Sequence, residues 1–294
     1  MRVSTRYQYE TYKSDMATAL ARYSEAQNKV STGKRINELS DSPYEAGTLL
    51  NLRNLQSRFE QYQNNLGVAK RSLTLAESAM GEIGSLFNKA TQIAVSGANG
   101  ITSQQARDAM VVEVADLQKR LVDLGNSRGV SGEYLFAGQK TETKPFTSVL
   151  GVLSFNGDDL GIAIESGPGE TMELNIKSGG AITRAYATLE HLKTSLQGGN
   201  VGDLSGIDIP AIQASQAELV QLRGLAGTRL KNVEALTTDY ARRIDDFQSK
   251  ISDIEDVDIA EALLDYRQAE TAYQAALSVT SQGFKLSLMD FIRG

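Results

Sequence analysis

Two stretches at opposite ends of the chain carry apolar residues in unbroken 3-4-3-4 spacing, and the middle of the chain does not. The longer one runs through Leu52, Leu55, Phe59, Tyr62, Leu66, Ala69, Leu73, Ala76, Met80, Ile83, Phe87, Ala90 and Ala94. The other runs through Leu230, Val233, Thr237, Tyr240, Ile244, Phe247, Ile251 and Ile254. A step averaging about 3.5 residues keeps one stripe of a helix turned toward a partner helix. Such stripes make long helix-to-helix contacts rather than pockets, and they imply a structural or assembly protein.

Shorter stripes lie outside these two. The first uses Tyr9, Tyr12, Met16, Ala19, Tyr23, Ala26 and Val30, and Gly33 ends it, as glycine does just past a helix. After a polar connector, Ser42 and Glu45 form a capping box around Pro43, and a helix runs from there to the stop at Gly97-Ala98-Asn99-Gly100. At about 1.5 Å per residue this is a rod of roughly 80 Å. Thr102 and Gln105 suggest a second capping box, opening a helix striped by Met110, Val114, Leu117, Leu121 and Leu124 that folds back antiparallel. The last helix starts near Asp258, with Glu261 three residues on, and carries Ile259, Leu263, Tyr266, Tyr273, Leu277, Thr280, Phe284 and Leu288.

The middle is different in kind. Residues 137–209 hold 12 of the 26 glycines, and their apolar residues alternate in short runs such as Met172-Glu173-Leu174-Asn175-Ile176. Asn156-Gly157 between two runs signals a hairpin, and Gly167-Pro168-Gly169 a turn. One short helix is expected near 182–196, and a flexible return over 198–206. The fold class is therefore mainly α with a small inserted β domain, the two chain ends forming a long antiparallel, coiled-coil-like rod. Its expected parts are residues 1–43 with 255–294 as terminal helices, 44–136 with 205–254 as the rod, and 137–204 as a β-rich outer domain. Each terminal helix has one narrow apolar stripe and few partners within the chain. The two are expected to be mobile in the monomer and to order on joining other subunits.

Composition narrows the chemistry. A net charge of −6 and no run of Lys and Arg among aromatics argue against nucleic acid. The absence of cysteine removes disulfides, thiolate metal sites and Cys nucleophiles together. No secretory signal and no long apolar run appear, so by these rules the chain is soluble, cytoplasmic and not in a membrane.

No catalytic, cofactor or metal site emerges. His191 is the one histidine and sits on a polar helix face. Thr32-Gly33-Lys34-Arg35 lacks the rest of a phosphate loop and reads as a helix end with solvated charges. Asp158-Asp159 reads as a solvated turn, and Asp253, Glu255, Asp256 and Asp258 as helix-start charges favouring the dipole.

Several motifs fall in one order. Ser31-Thr32-Gly33-Lys34-Arg35-Ile36-Asn37 is followed by Ser40-Asp41-Ser42-Pro43, then Asn64-Asn65-Leu66, Ala98-Asn99-Gly100 and Arg107. Near the other end stand Glu255-Asp256-Val257-Asp258-Ile259-Ala260-Glu261-Ala262, Gln274-Ala275-Ala276-Leu277 and Leu286-Ser287-Leu288. Over both helical ends, about two thirds of the chain, these resemble the signatures of the bacterial flagellin family of axial proteins. Ser42 stands where the family pattern has Asp, and both residues cap helices.

Within the family, Met1-Arg2-Val3-Ser4-Thr5, the run Gly132-Glu133-Tyr134-Leu135-Phe136-Ala137-Gly138 with Lys140 to Phe146, and Leu288-Met289-Asp290-Phe291-Ile292 resemble the hook-associated junction members. The filament subunit, a short flagellin, remains the alternative, and a cytoplasmic coiled-coil scaffold a remote one. The resemblance implies a structural, non-enzymatic role in the bacterial flagellum and export by the flagellar type III apparatus without a cleaved signal, which replaces the cytoplasmic expectation. It implies partners as well: a FlgK-type junction protein, flagellin, further copies in a helical ring, and an FlgN-like export chaperone on the C-terminal helix. The assembly and chaperone contacts would fall on Tyr9, Tyr12, Met16 and Tyr23 at one end and on Ile259, Leu263, Tyr266, Tyr273, Leu277, Phe284 and Leu288 at the other.

Overall fold

The structure, a computed structural model, describes the backbone of residues 2–38, 40–149 and 151–293, and their side chains except at 2–6, 8 and 283–293. Among the described residues, seven α-helices and four short strands follow in the order α1 (Arg2–Thr32), α2 (Pro43–Gly97), α3 (Gln104–Gly125), β1 (Phe146–Val149), β2 (Val152–Phe155), β3 (Ala163–Gly167), β4 (Glu170–Glu173), α4 (Gly179–Gly198), α5 (Val201–Asp203), α6 (Ile209–Glu255) and α7 (Ile259–Arg293). The chain divides by packing into two units, Met1–Arg58 with Arg243–Gly294, and Phe59–Arg242. Helices α2 and α6 contribute to both.

In the Phe59–Arg242 unit the long stripes meet as the spacing predicts. From Phe59 to Ala94 every residue of the α2 stripe is buried, with Leu66, Leu73, Ile83, Phe87 and Ala90 fully so. Gln216 bonds Asn88 (2.6 Å), Arg223 bonds Glu77 (2.6 Å) and Lys70 pairs with Glu234 (3.1 Å), so one partner's number rises as the other's falls: α2 and α6 are antiparallel. Helix α3 turns back on α2 in the same sense, with Arg107 Nε donating to the Gly97 carbonyl and Lys89 paired with Glu113. Its stripe residues Val114, Leu117 and Leu121 are buried. Helix α4 packs on α3 and buries Ile182, Leu189, Leu192 and Leu196.

Several local expectations change. Ser103, not Thr102, caps α3: its Oγ accepts the Ala106 N–H, whereas the Thr102 hydroxyl reaches back to the Ser96 carbonyl (2.8 Å). Asn156-Gly157 is not a hairpin turn. The turn falls inside the preceding run, where Gly151 at φ +80° reverses the chain between β1 and β2. The Pro168-Gly169 turn is where it was expected, between β3 and β4. The β region is two separate antiparallel hairpins, the first packed on α3 and α4. The expected flexible return is instead helical: Asn200 caps α5, and a π-helical turn over Leu204–Asp208 leads into α6, anchored by buried Leu204 and Asp208.

In the other unit, α1 packs on α7. A small apolar cluster of Ile36, Leu49 and Ile251, with Leu52 and Ile254 against it, joins the connector after α1 to the first turns of α2 and the last turns of α6. That cluster explains why packing divides the chain at residues 58 and 243 rather than at the helix boundaries near 43 and 255.

Candidate assembly surface

The α1–α7 pair is built on an alternation of tyrosine and alanine. On α1 the half-buried or buried positions, Lys29 aside, are Tyr12, Met16, Ala19, Tyr23, Ala26 and Val30, spaced 4-3-4-3-4. On α7, among the described side chains and Glu270 aside, they are Ala262, Tyr266, Ala269, Tyr273, Ala276 and Thr280, with the same spacing. Tyr23 lies tilted against Tyr266 at 5.5 Å between ring centres and stacked on Tyr273 at 5.6 Å. The Tyr23 and Tyr266 hydroxyls share a hydrogen bond (3.2 Å), and that bond pushes the Tyr23 phenol above its ordinary value.

This alternation splits the stripe expected for α7. Its tyrosines face α1, while Ile259, Leu263 and Leu277 are 49%, 45% and 42% exposed. The small alanines, not the large aliphatics, fill the seam between the tyrosines. Leu264 and Val279 add to the exposed apolar surface, and on α1 so do Tyr7, Tyr9 and Leu20. Phe284 and Leu288 lie outside the described side chains.

A clasp stands at the base of this pair. Gly33 takes φ +69° at the end of α1, a conformation that favours glycine, and frees its carbonyl to accept the Val257 N–H (3.0 Å). The Arg35 N–H donates to the Glu255 carbonyl (2.7 Å), making a short antiparallel bridge of Lys34 with Asp256. The Glu255 side chain is 6% exposed and takes Lys34 on one oxygen (2.5 Å) and Arg53 on the other. Burial pushes the Glu255 carboxyl up, but its bonds to Lys34 and Arg53 outweigh burial and hold it below the usual carboxylate range. The Arg35 guanidinium grips Glu45 through two bonds of 3.0 Å and donates to the Ile254 carbonyl (2.7 Å).

The clasp was not legible as such. The basic run after Gly33 is half exposed, as a solvated helix end implies, but Lys34 and Arg35 are both also paired with carboxylates, and Glu255 ends α6 instead of starting a helix. Asp258 alone among the acidic cluster does what the charge pattern implied: its Oδ1 accepts the Ala260 and Glu261 N–H groups at the start of α7. The available signal was complementarity, a basic pair on one connector and an acidic cluster on the other.

The remaining polar residues are also tied into the fold. The His191 side chain is half exposed, and its Nδ1 lies 2.6 Å from Oδ1 of the buried Asp208. Asp158 accepts the Gln139 N–H (2.7 Å) and Asp159 the Gly179 N–H (3.2 Å), so this pair fastens loops while Asp159 stays exposed to water. Among the described residues no group of three or more His, Cys, Asp or Glu could hold a metal ion, and no helix is long and apolar enough to cross a membrane.

One unit thus pairs helices from the two ends of the chain through a seam and a clasp, and the other holds a long antiparallel helix pair together with two small hairpins, the make-up of a helical structural protein. The N-terminal helical region of bacterial flagellin matches residues 3–141 and the C-terminal helical region matches residues 209–292; the chain belongs to the bacterial flagellin family. Within it, the chain is 24% identical to flagellar hook-associated protein 3 of Salmonella typhimurium over 100% of both chains. It is 25% identical to flagellar hook-associated protein 3 of Escherichia coli over 98% of both. In fold it is similar to the crystal structure of Bacillus cereus FlgL, with a TM-score of 0.61 and 19% identity over 69% of this chain and 99% of that one.

Proposed function

We infer that this chain is a structural subunit of the bacterial flagellum, placed at the junction between hook and filament. The observation that carries this reading is the end-to-end likeness to hook-associated protein 3, which includes the hairpin-bearing middle as well as the helical ends. A FlgK-type junction protein is its neighbour on the hook side and flagellin on the other, with further copies completing a ring. The chain leaves the cell through the flagellar type III apparatus without a cleaved signal, escorted by an FlgN-like chaperone.

The exposed aliphatics Ile259, Leu263 and Leu277 and the exposed Tyr9 supply the contacts to neighbouring subunits and to the chaperone. Tyr12, Met16, Tyr23, Tyr266 and Tyr273 set the spacing of the pair that presents them. The terminal helices, mobile in the monomer, order when these surfaces are covered. Residues 44–136 and 205–254 then form the rod around the core, and 137–204 faces outward.

Deletion of the gene tests the junction role. Cells with hooks but no filaments, releasing flagellin into the medium, are the expected outcome. Loss of the dominant filament protein itself would identify a short flagellin, and unchanged flagella would end both readings. Leu277→Asp tests the surface: export and monomer helicity persist, and filament growth stops.

A further inference from the structure

The chain contains two Asn-Gly pairs, Asn99-Gly100 and Asn156-Gly157. With no β-carbon on the glycine, its backbone nitrogen can approach the carbonyl carbon of the preceding asparagine side chain. Whether it does so depends on what holds the two residues.

The structure ties the backbone of both asparagines, Asn99 through its N–H to the Ser96 carbonyl (3.3 Å) and its carbonyl to the Thr102 N–H (3.0 Å), and the pairs differ at the side-chain amide and the glycine. Asn99 and Gly100 are exposed in the turn between α2 and α3. The Asn99 Oδ1 accepts the Ile101 N–H (3.3 Å), which folds the side chain back over the Gly100 peptide. That same N–H stands where negative charge would develop on the oxygen during attack. Among the described residues the Gly100 N–H and the Asn99 Nδ2 have no acceptor, and nothing lies within 4 Å of the position a Gly100 β-carbon would take.

Asn156 is pinned from three directions. Its N–H donates to the Pro145 carbonyl (2.8 Å), its Nδ2 donates to the Thr147 hydroxyl (3.0 Å), and beyond the glycine the Asp158 N–H donates to the Ala137 carbonyl (3.0 Å). Gly157 is wedged so that a β-carbon there would fall 2.7 Å from the Ala137 carbonyl oxygen.

We propose that Asn99 is a site of spontaneous backbone modification through a cyclic imide, and that the fold protects Asn156 from the same reaction. The Gly100 nitrogen bonds to Cγ of Asn99. The Cγ–Nδ2 bond breaks, and the proton from the Gly100 amide leaves with the departing nitrogen as ammonia. Water then opens the imide. Addition at Cγ gives aspartate, and addition at the backbone carbonyl gives isoaspartate, in which the chain runs through the side-chain carbon. The sum is asparagine plus water giving an acid plus ammonia, with no change of oxidation state. The product places a new negative charge in the α2–α3 turn, and the isoaspartyl form adds one carbon to the backbone that α3 follows.

The test ages the full chain in native buffer and in urea, then follows the tryptic peptides Ala90–Arg107 and Thr141–Lys177 by mass, with isoaspartyl methyltransferase labelling. In the native chain Asn99 should convert about tenfold faster than Asn156 or more, since each bond holding Asn156 lowers the population able to react. In urea the two rates should converge. Equal rates in the native chain, or faster conversion at Asn156, would overturn the proposal. Gly100→Ala, which the open space accommodates, should slow conversion at Asn99; an unchanged rate would rule out attack by the residue 100 nitrogen.

Discussion

At the residue scale, Glu255 does the most with one side chain. It is nearly out of water, it answers two cations, and its backbone carbonyl holds the connector after α1. Because its folded carboxyl lies below the ordinary value near 4.3, its pairing stabilises the structure above that value and is lost as pH falls through the lower folded one. Hydrogen exchange in residues 7–38 and 243–282 should therefore accelerate on acidification. Glu255→Gln should accelerate it at neutral pH, costing about 2 kcal/mol, less than for a fully buried pair because Lys34 and Arg53 are half exposed. The variant's acid dependence should be flatter but not flat, since Glu45, held low by Arg35 and Ser42, keeps the same sign. An acid profile identical to the parent's would remove Glu255 as the cause. A second residue, Tyr240, buries its hydroxyl on the Ser166 carbonyl (2.7 Å). Tyr240→Phe should cost about 1–2 kcal/mol and loosen the β3–β4 hairpin, read as faster exchange across residues 163–173.

At the scale of elements, the α1–α7 seam makes an alkaline prediction. A phenol raised above its ordinary value near 10 stabilises the pair below that value and loses the contribution as pH rises through the higher folded one. Helicity of the terminal pair should fall in that range, and Tyr23→Phe should shift or blunt the fall. A loss unchanged by Tyr23→Phe would place its origin elsewhere. The α1 seam is readable from sequence because its large residues sit at the right intervals. The α7 seam is not, because a stripe drawn through large apolar residues takes Ile259, Leu263 and Leu277 and misses Ala262, Ala269 and Ala276. Where tyrosines supply the bulk, alanine is what lets two backbones approach. In α2 the same habit selects Leu55, which is exposed, although Gln56 occupies the inward position and bonds Gln248. In the β region the Asn-Gly signal misleads for a tertiary reason: Pro145 and Ala137 carbonyls claim the amides on either side of it. Clasps and buried ion pairs join residues some two hundred positions apart, and single-chain periodicity carries no such pairing.

At the scale of the whole molecule, burial is uneven. The largest fully buried side chains among the described residues, Phe87, Phe136, Phe146 and Leu66 among them, all lie in the Phe59–Arg242 unit. The other unit rests on the cluster of Ile36, Leu49 and Ile251, a seam of half-buried tyrosines, and the clasp. Limited proteolysis of the monomer should therefore cut first within residues 1–58 and 243–294 and leave a resistant core spanning most of 59–242. Early cuts inside that core would contradict this ordering. The clasp also sets an order in time. Its two halves are separated by more than two hundred residues, so α1 has no partner until nearly the last of the chain is present. A polypeptide threaded end first through a narrow conduit would fold its middle while both tips wait, and the two ends would close like a drawstring only after the trailing end is free.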